Sequence, residues 1–441
     1  MGIRVASACA RAVVVVFACA GLIAPATASA VPRPADDPFY AYTSSTPLAD
    51  LAPGTVIRSR DVSYHVAGLA LPLSAKQLAY RSTNMLGEPI VASTTLIRPP
   101  GKKTVSRVVS YQSAYDSLSP NDQPSHVIAG GPATLGSAIS TLESLALPAF
   151  LLNGYGVAIP DTEGPMADFA AGPEYGYTTL DGLRAAFKAK YTRMTDATKV
   201  VLFGYSGGAI GTEWAAELAP SYAPDVNEHL IGAAMGGVLV KPSTNLHYVD
   251  GSPLWAGVMP MAIVGVARSF RIDLLPYLSD YGKSVYRRLQ RVGIVEALAT
   301  NSGVTWAKLA KPEYREPESV AIYVEAANKL IMGSYGTPTI PLFIGQGAKG
   351  ELEGTKGNRP GIGKGDGVMV AGDVRSLARK YCDQGVPVKY RQYGQGSHAT
   401  TVLSWGPQAI HWIDARFKGA VAPQNCAEIA PGNSLEPIAV K

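Results

Sequence analysis

The chain has 441 residues, 47% of them hydrophobic and 17% charged, ample for a large core in two or three domains or in one large domain with an insertion. Its formal charge is +5; removal of a leader holding Arg4 and Arg11 leaves 37 basic residues against 34 acidic ones, or +3. So mild a balance, with no basic block, does not argue for nucleic acid, and no nucleic-acid partner is expected.

In chain order, Arg4 and Arg11 flank the apolar run Ala12 to Ile23, and Ala28-Ser29-Ala30 follows. A charged start, a short apolar stretch and an A-x-A site describe a secretory leader. Residues 1–30 are therefore expected to be removed after Ala30 and the mature chain exported. The run is too short for a lasting membrane anchor, and Phe17 fits poorly with the alternative, a lipid-modified Cys19. Cys9 and Cys19 leave with the leader. Cys382 and Cys426 remain, an even pair in an exported protein and an expected disulfide.

Residues 31–54, rich in Pro, Ala and Asp, read as an extended arm. Strand patterns follow at Thr55–Arg58, Gln77–Thr83 and Ile90–Ile97, the last two joined by a turn at Asn84-Met85-Leu86-Gly87. Val105–Tyr111 and Gly156–Pro160 are nearly continuous apolar runs, as buried parallel strands are. Leu135–Leu152 and Leu180–Tyr191 carry helical spacing. Lys199–Phe203 and His229–Val240 read as strands, with the helix Ala209–Ala219 between them. From Lys241 to about Gly336 helical spacing dominates, in Ser284–Ala299 and Ser319–Met332. Strand pattern resumes at Thr339–Gly345 and Val386–Tyr393. Strands alternating with helices predict an α/β fold with a mainly parallel sheet, its core split into residues 31–240 and 337–441 by a helical cap or lid over 241–336. Residues 346–367 are rich in Gly and Lys but contain no phosphate-loop motif, because Gly365 follows Lys364; they read as a flexible surface loop.

Between the strand at Lys199–Phe203 and the following helix lies Gly204-Tyr205-Ser206-Gly207-Gly208. Strand, G-x-S-x-G and helix form the context of a nucleophile elbow, in which a strained turn exposes a serine hydroxyl at the sheet edge. The helix starting behind Ser206 turns its free N–H groups toward any negative charge forming there. A serine hydroxyl also needs a base, and the base an orienting acid, which follow the serine in the order acid, then histidine. Of the downstream histidines, His398 follows the last strand in Tyr393-Gly394-Gln395-Gly396-Ser397-His398 and is the expected base. His411 lies in a helix, His229 at a strand start and His247 in the cap. Asp366 and Asp373 are the candidate acids; Asp366 is favoured, because Asp373 reads as the N-cap of a helix over Val374–Tyr381. Gly207 N–H is one expected oxyanion donor, and Ser110–Ser117 the loop expected to supply a second. Asp116 in that loop reads equally as a turn or helix cap.

These residues resemble the secretory lipases of fungi and actinobacteria. The resemblance is carried by Asp37-Pro38-Phe39-Tyr40, Pro53-Gly54-Thr55-Val56, Tyr80-Arg81-Ser82-Thr83, Tyr111-Gln112 with Tyr115-Asp116-Ser117, Gly154-Tyr155 through Pro160-Asp161, Leu180-Asp181 with Arg184-Ala185, the Ser206 turn, and Tyr393-Gly394 to His398. It implies an α/β-hydrolase fold with a helical cap, a role for Asp116 at the oxyanion, and hydrolysis of acylglycerols or simpler esters without a cofactor or metal. The implied partner is a lipid or small ester, met through transient contact with a lipid interface. This chain departs from the pattern in having Asp122 where a cysteine is expected, so its disulfides must differ.

Two other classes compete with an ester hydrolase: a peptidase or acyltransferase on the same fold, and a binding protein with a decayed site. In the cap, Leu254, Trp255, Val258, Met259, Met261, Ile263, Phe270, Leu274 and Leu275 read either as its own core or as an acyl-binding wall. Exposing an acyl chain costs about 0.8 kcal/mol per CH₂, so a wall there predicts medium- and long-chain esters, triglycerides included.

Overall fold

A computed structural model describes residues 31–102 and 104–441; the expected leader and its cleavage site at Ala30 lie outside the described residues. The strands are β1 (Val56–Val66), β2 (Leu69–Thr83), β3 (Pro89–Ile97), β4 (Arg107–Gln112), β5 (Gly156–Pro160), β6 (Lys199–Tyr205), β7 (Leu230–Gly236), β8 (Leu342–Gly347) and β9 (Val388–Tyr393). They form one sheet in the order β1-β2-β3-β5-β4-β6-β7-β8-β9. Pairing is antiparallel from β1 to β3 and between β3 and β5, and parallel from β5 through β9. The longer helices are α1 (Ala138–Ala146), α2 (Gly172–Lys188), α3 (Gly207–Tyr222), α4 (Pro242–Val249), α5 (Val258–Phe270), α6 (Asp280–Arg288), α7 (Ile294–Thr300), α8 (Ala321–Asn328), α9 (Ala371–Asp383) and α10 (His398–Phe417).

The apolar run of β6 is explained by helices covering both faces of the sheet. Val200 and Leu202 pack with Leu183 of α2, Trp214 of α3 and Leu377 of α9. Val201 and Phe203 point the other way, into a cluster with Tyr64, Phe150 and, from α10, Trp405 and Trp412. A third cluster lies in the long connection from β7 to β8, where α4 to α8 gather around Met259, Val264, Leu289 and Trp306. That insertion takes Leu118, Phe169 and Val368–Val370 from the rest of the chain into its core. Among the described residues no helix is long and apolar enough to cross a membrane.

Several elements differ from their sequence pattern, each for a local reason. β1 and β2 make a long hairpin of which only fragments are legible, because Leu69–Pro72 is exposed throughout and so lacks the alternation that marks a half-buried strand. Its tip, Ala67-Gly68, has φ of 50° and 78°, the two positive angles that a tight hairpin turn requires. The helix expected over Leu135–Leu152 is two, divided before Pro148, whose nitrogen cannot donate. α2 begins at Gly172, well before Leu180. The strand from His229 stops at Gly236, where Gly237 turns to φ 60°. Ser284–Ala299 is broken into α6 and α7, because Gly293 is extended and bridges to Ser117. Asp373 does not cap α9: that helix starts at Ala371, and the Asp373 carboxylate accepts from Asn433 Nδ2 at 2.7 Å. Nor is 346–367 wholly a loose surface loop. Gly350 N donates to Gly365 O, Thr355 is buried, and Asp366 is fully buried.

Cys382, near the end of α9, is bonded to Cys426 with a Cα–Cα distance of 5.6 Å. The bridge ties the tail after α10 to the edge of the sheet, where Asn425 N donates to Val388 O. Closing this loop stabilises the fold by about 4 kcal/mol if chain entropy dominates. Cys426→Ser is expected to lower the urea midpoint by a corresponding amount; an unchanged midpoint would show that the tail holds without the bridge.

Candidate active site

The elbow begins with a packing constraint. A Cβ on Gly204 would lie 2.2 Å from Gly208 O, and one on Gly208 would lie 2.1 Å from Gln112 O. Only glycines let β6 turn this tightly into α3 beside β4. Ser206, at the turn, has φ 55° and ψ −122°, and its N–H donates to Gly236 O at 2.9 Å. A left-handed angle at a residue with a Cβ is costly and is held here by its surroundings. Ser206 is also the N-cap of α3, so Gly207 and Gly208 are the first residues of that helix, where backbone N–H groups lack intrahelical partners.

His398 is brought to this hydroxyl by the start of α10. Ser397 caps that helix, its side chain accepting from Thr400 N while Thr400 Oγ1 accepts from Ser397 N. His398 is thus the first helical residue and not part of the preceding loop. Ser206 Oγ–H donates to His398 Nε2 at 2.8 Å, and His398 Nδ1–H donates to Asp366 Oδ2 at 2.8 Å. The carboxylate can only accept, which assigns the Nδ1–H tautomer and leaves the Nε2 lone pair facing the serine. The same two residues are joined a second time, His398 N donating to Asp366 O at 2.7 Å. Asp366 Oδ1 accepts from Val368 N and Met369 N, and Oδ2 also accepts from Gln346 Nε2. Tyr205 OH donates to the His398 carbonyl at 2.6 Å. Burial works against a charged His398 imidazole, but the charge and hydrogen bond of Asp366 outweigh it, with Glu353 and Asp116 adding to the effect, and the net pKa lies above 6.5.

Asp116 follows β4 with φ 38°. Its carboxyl lies directly over Gly207, where a Cβ would sit 1.7 Å from Asp116 Oδ1. That oxygen is buried with no hydrogen-bond partner. Burial, then the nearby charge of Glu143, push the Asp116 pKa up to about 8. At neutral pH the carboxyl is therefore protonated and able to donate, and its charge acts on His398 only as it ionises. The turn is held from three sides. Glu143 of α1 accepts from Tyr111 OH, Ala114 N and Ser113 Oγ. Glu163 accepts from Ser117 N and Tyr175 OH. From the insertion, Ile294 N donates to Asp116 O at 2.9 Å, and Leu118 N donates to Val292 O.

Over Ser206 and Gly207 lies an apolar cavity of about 100 Å³. Of the residues expected to build an acyl wall, Trp255, Val258, Met259, Ile263 and Leu274 line it. Met261 is buried elsewhere in the insertion, Leu254 is 43% exposed, and Phe270 and Leu275 do not reach the cavity. Leu246, Val249, Ile294 and Tyr323 are among the other residues that line it. The other candidates stand apart from this site: His229 stacks on Phe187, His247 pairs with Glu318, and Asp373 with Asn433.

The sheet, the elbow and the helices on both faces are those of an α/β-hydrolase. The chain belongs to the secretory lipase family, whose model matches residues 132–359 and 361–425. It is 31% identical to the trichothecene C-3 esterase of Fusarium sporotrichioides, over 87% of this chain and 84% of that protein. It is 30% identical to a probable inactive lipase of Mycobacterium tuberculosis, over 88% of this chain and 83% of that one. The crystal structure of Candida antarctica lipase A in its closed state superposes with a TM-score of 0.76 at 25% identity, covering 92% of this chain and 91% of that one.

Gln346, Glu143, Glu163, Trp255 as a neighbour of His398, and Glu353 were not legible as site residues, because nothing local marks them. Each acts through a contact made only when distant segments meet. Of the two candidate acids, Asp366 is bonded to His398 and Asp373 to Asn433. Asp366→Asn is expected to cut kcat by about 10⁴-fold through the wrong histidine tautomer, while Asp373→Asn leaves it within a few-fold. Steady-state rates of the two purified variants decide, and the reverse ranking would place the acid at Asp373.

Proposed function

We propose that this chain is an exported carboxylic ester hydrolase in which Ser206 is the nucleophile, His398 the general base and Asp366 its orienting acid. The observation that carries the reading is the unbroken hydrogen-bond chain from Asp366 through His398 to Ser206 Oγ, ending beneath an apolar cavity. Ser206 Oγ attacks the ester carbonyl as its proton passes to His398 Nε2, and Asp366 stabilises the imidazolium. Gly207 N–H and the protonated Asp116 carboxyl donate to the developing oxyanion. The alcohol leaves with the proton from Nε2, and water then repeats the sequence on the acyl-enzyme. Residues 241–336 act as the cap, placing the acyl group among Trp255, Met259 and Ile263. One relative is described as a probable inactive lipase, so family membership alone does not argue for turnover; the complete hydrogen-bond chain does.

For substrate, the apolar wall supports acyl groups of medium and long chain, as in triacylglycerols presented at a lipid surface. The cavity volume supports a second reading. About 100 Å³ is less than the roughly 150 Å³ of a cavity that holds benzene, so the site as it stands admits a short acyl group, and longer ones require the cap to move. A relative named as a trichothecene C-3 esterase fits the same reading. The profile of kcat/KM across p-nitrophenyl esters from acetate to palmitate, with emulsified triglyceride and aminoacyl anilides alongside, separates them. A lipase is expected to favour octanoate or longer and to hydrolyse the emulsion, with negligible anilide cleavage. A sharp maximum at acetate with no action on triglyceride would select the short-chain esterase.

The two titrating groups set a pH profile. His398 must be neutral to act as base, and its raised pKa places the acid limb above pH 6.5. Asp116 must be protonated to donate, so activity falls as pH rises past about 8. Asp116→Asn, an amide that cannot ionise, is expected to abolish the alkaline limb, and Asp116→Ala to cost on the order of 10²–10³ in kcat. An alkaline limb unchanged in Asp116→Asn would remove Asp116 from the oxyanion site.

A further inference from the structure

Glu353 lies in the stretch that reads, by composition, as a surface loop, yet it bonds to two residues beside His398. Its Oε2 accepts from Trp255 Nε1–H at 2.7 Å, and its Oε1 accepts from Ala399 N at 2.9 Å. Trp255 belongs to the insertion and lines the cavity; Ala399 is the residue after His398 at the start of α10. The indole in turn makes a T-shaped contact with the His398 ring, with centroids 5.1 Å apart and planes at 79°.

The surroundings fit this carboxylate closely. A Cβ on Gly367 would lie 2.6 Å from Glu353 Oε2 and 2.9 Å from Trp255 Nε1. Thr355, two residues on, shares a hydrogen bond with Ser252 of the insertion and donates to Gly367 O beside the acid. The segment is thus stitched to the insertion on one side and to the Asp366 turn on the other. A carboxylate has two acceptor oxygens and no donor, and here each oxygen takes an N–H from a different part of the chain.

We propose that Glu353 is a positioning residue that latches the cap to the catalytic histidine, holding the Trp255 indole against the imidazole so that the wall of the acyl cavity and the base are set together. The proposal rests on the reading of His398 as the general base. It has an electrostatic consequence. The charged groups facing His398 are Asp366 from the turn after β8, Asp116 from the turn after β4, and Glu353; Tyr205 faces it from the end of β6. With Asp116 protonated near neutrality, Glu353 is the second anion after Asp366, and it favours the imidazolium.

The test uses the mature chain as wild type, Glu353→Gln, Trp255→Phe and the double variant, each first checked for an unchanged cooperative melt. In Glu353→Gln the acid limb of kcat/KM is expected to move to lower pH by about half a unit, less than the roughly 1–3 units of a directly bonded carboxylate. KM for p-nitrophenyl octanoate is expected to rise several-fold, with kcat for the acetate ester changed less. Trp255→Phe is expected to raise the same KM without moving the limb, and the double variant to be no worse in KM than the poorer single one, since both break one contact. An unmoved limb, or KM effects that multiply in the double variant, would make Glu353 an ordinary helix-terminal carboxylate and overturn the latch. If Glu353→Gln does not melt cooperatively, Glu353→Asp replaces it: a shorter side chain that keeps its charge should raise KM and leave the limb in place, and an unchanged KM overturns the latch. The rate of fluorophosphonate labelling, measured over the same pH range, keeps the two proposals apart. Absence of label on wild-type Ser206 would remove the hydrolase reading itself. Labelling with the same pH dependence in wild type and Glu353→Gln would remove only the latch.

Discussion

A carboxylate out of water must have its acceptor capacity filled, and Asp366 meets that demand with groups from three separate parts of the chain. Its side chain takes the N–H groups of its own turn at Val368 and Met369, Gln346 Nε2 from β8, and His398 Nδ1 from α10. Gln346 in turn accepts from Val238 N, just after β7. Satisfying one buried charge therefore fixes where β8 ends, where α10 begins and how the imidazole is turned. An isolated anion at this depth would cost several kcal/mol. Here the same bonds that offset that cost orient the histidine toward Ser206.

The opposite side of the site is built differently. The Asp116 turn carries a left-handed residue and an orphaned oxygen, neither stable alone. It is held by Glu143 and Glu163 beneath and by the backbone of Val292–Ile294 above. Because Ile294 also lines the cavity, the insertion both walls that cavity and braces the proposed oxyanion turn. Movement of one part of it would be felt at both. The elbow itself leaves no room for a side chain, since a Cβ on Gly204 would strike Gly208 and one on Gly208 would strike Gln112.

What the sequence made legible follows from how far each signal reaches. The Ser206 turn is local: strand, glycines and helix are contiguous, and the physics that strains the serine is written in adjacent residues. The alternation of buried strands with helices needs only short windows, and the sheet core follows from it. Helix limits were poorer where a tertiary contact overrode spacing, as at Gly293, which leaves the helical path to pair with Ser117. Composition misled most at 346–367, where Gly and Lys suggest a solvated loop. The middle of that stretch is solvated, but its ends carry Glu353 and Asp366 into the site. Nothing within the loop distinguishes those two carboxylates from Glu351, which is exposed; only their partners do.

The central claim is that Ser206 faces a preformed oxyanion site and an acyl cavity shaped by the insertion. A crystal structure of the mature chain reacted with an alkyl phosphonate ester tests it most directly. The account predicts a bond from Ser206 Oγ to phosphorus, the phosphonyl oxygen about 2.7–3.1 Å from Gly207 N and from Asp116 Oδ1, and the alkyl chain among Trp255, Met259 and Ile263. A phosphonyl oxygen turned away from Asp116, or an alkyl chain lying outside the insertion, would contradict it.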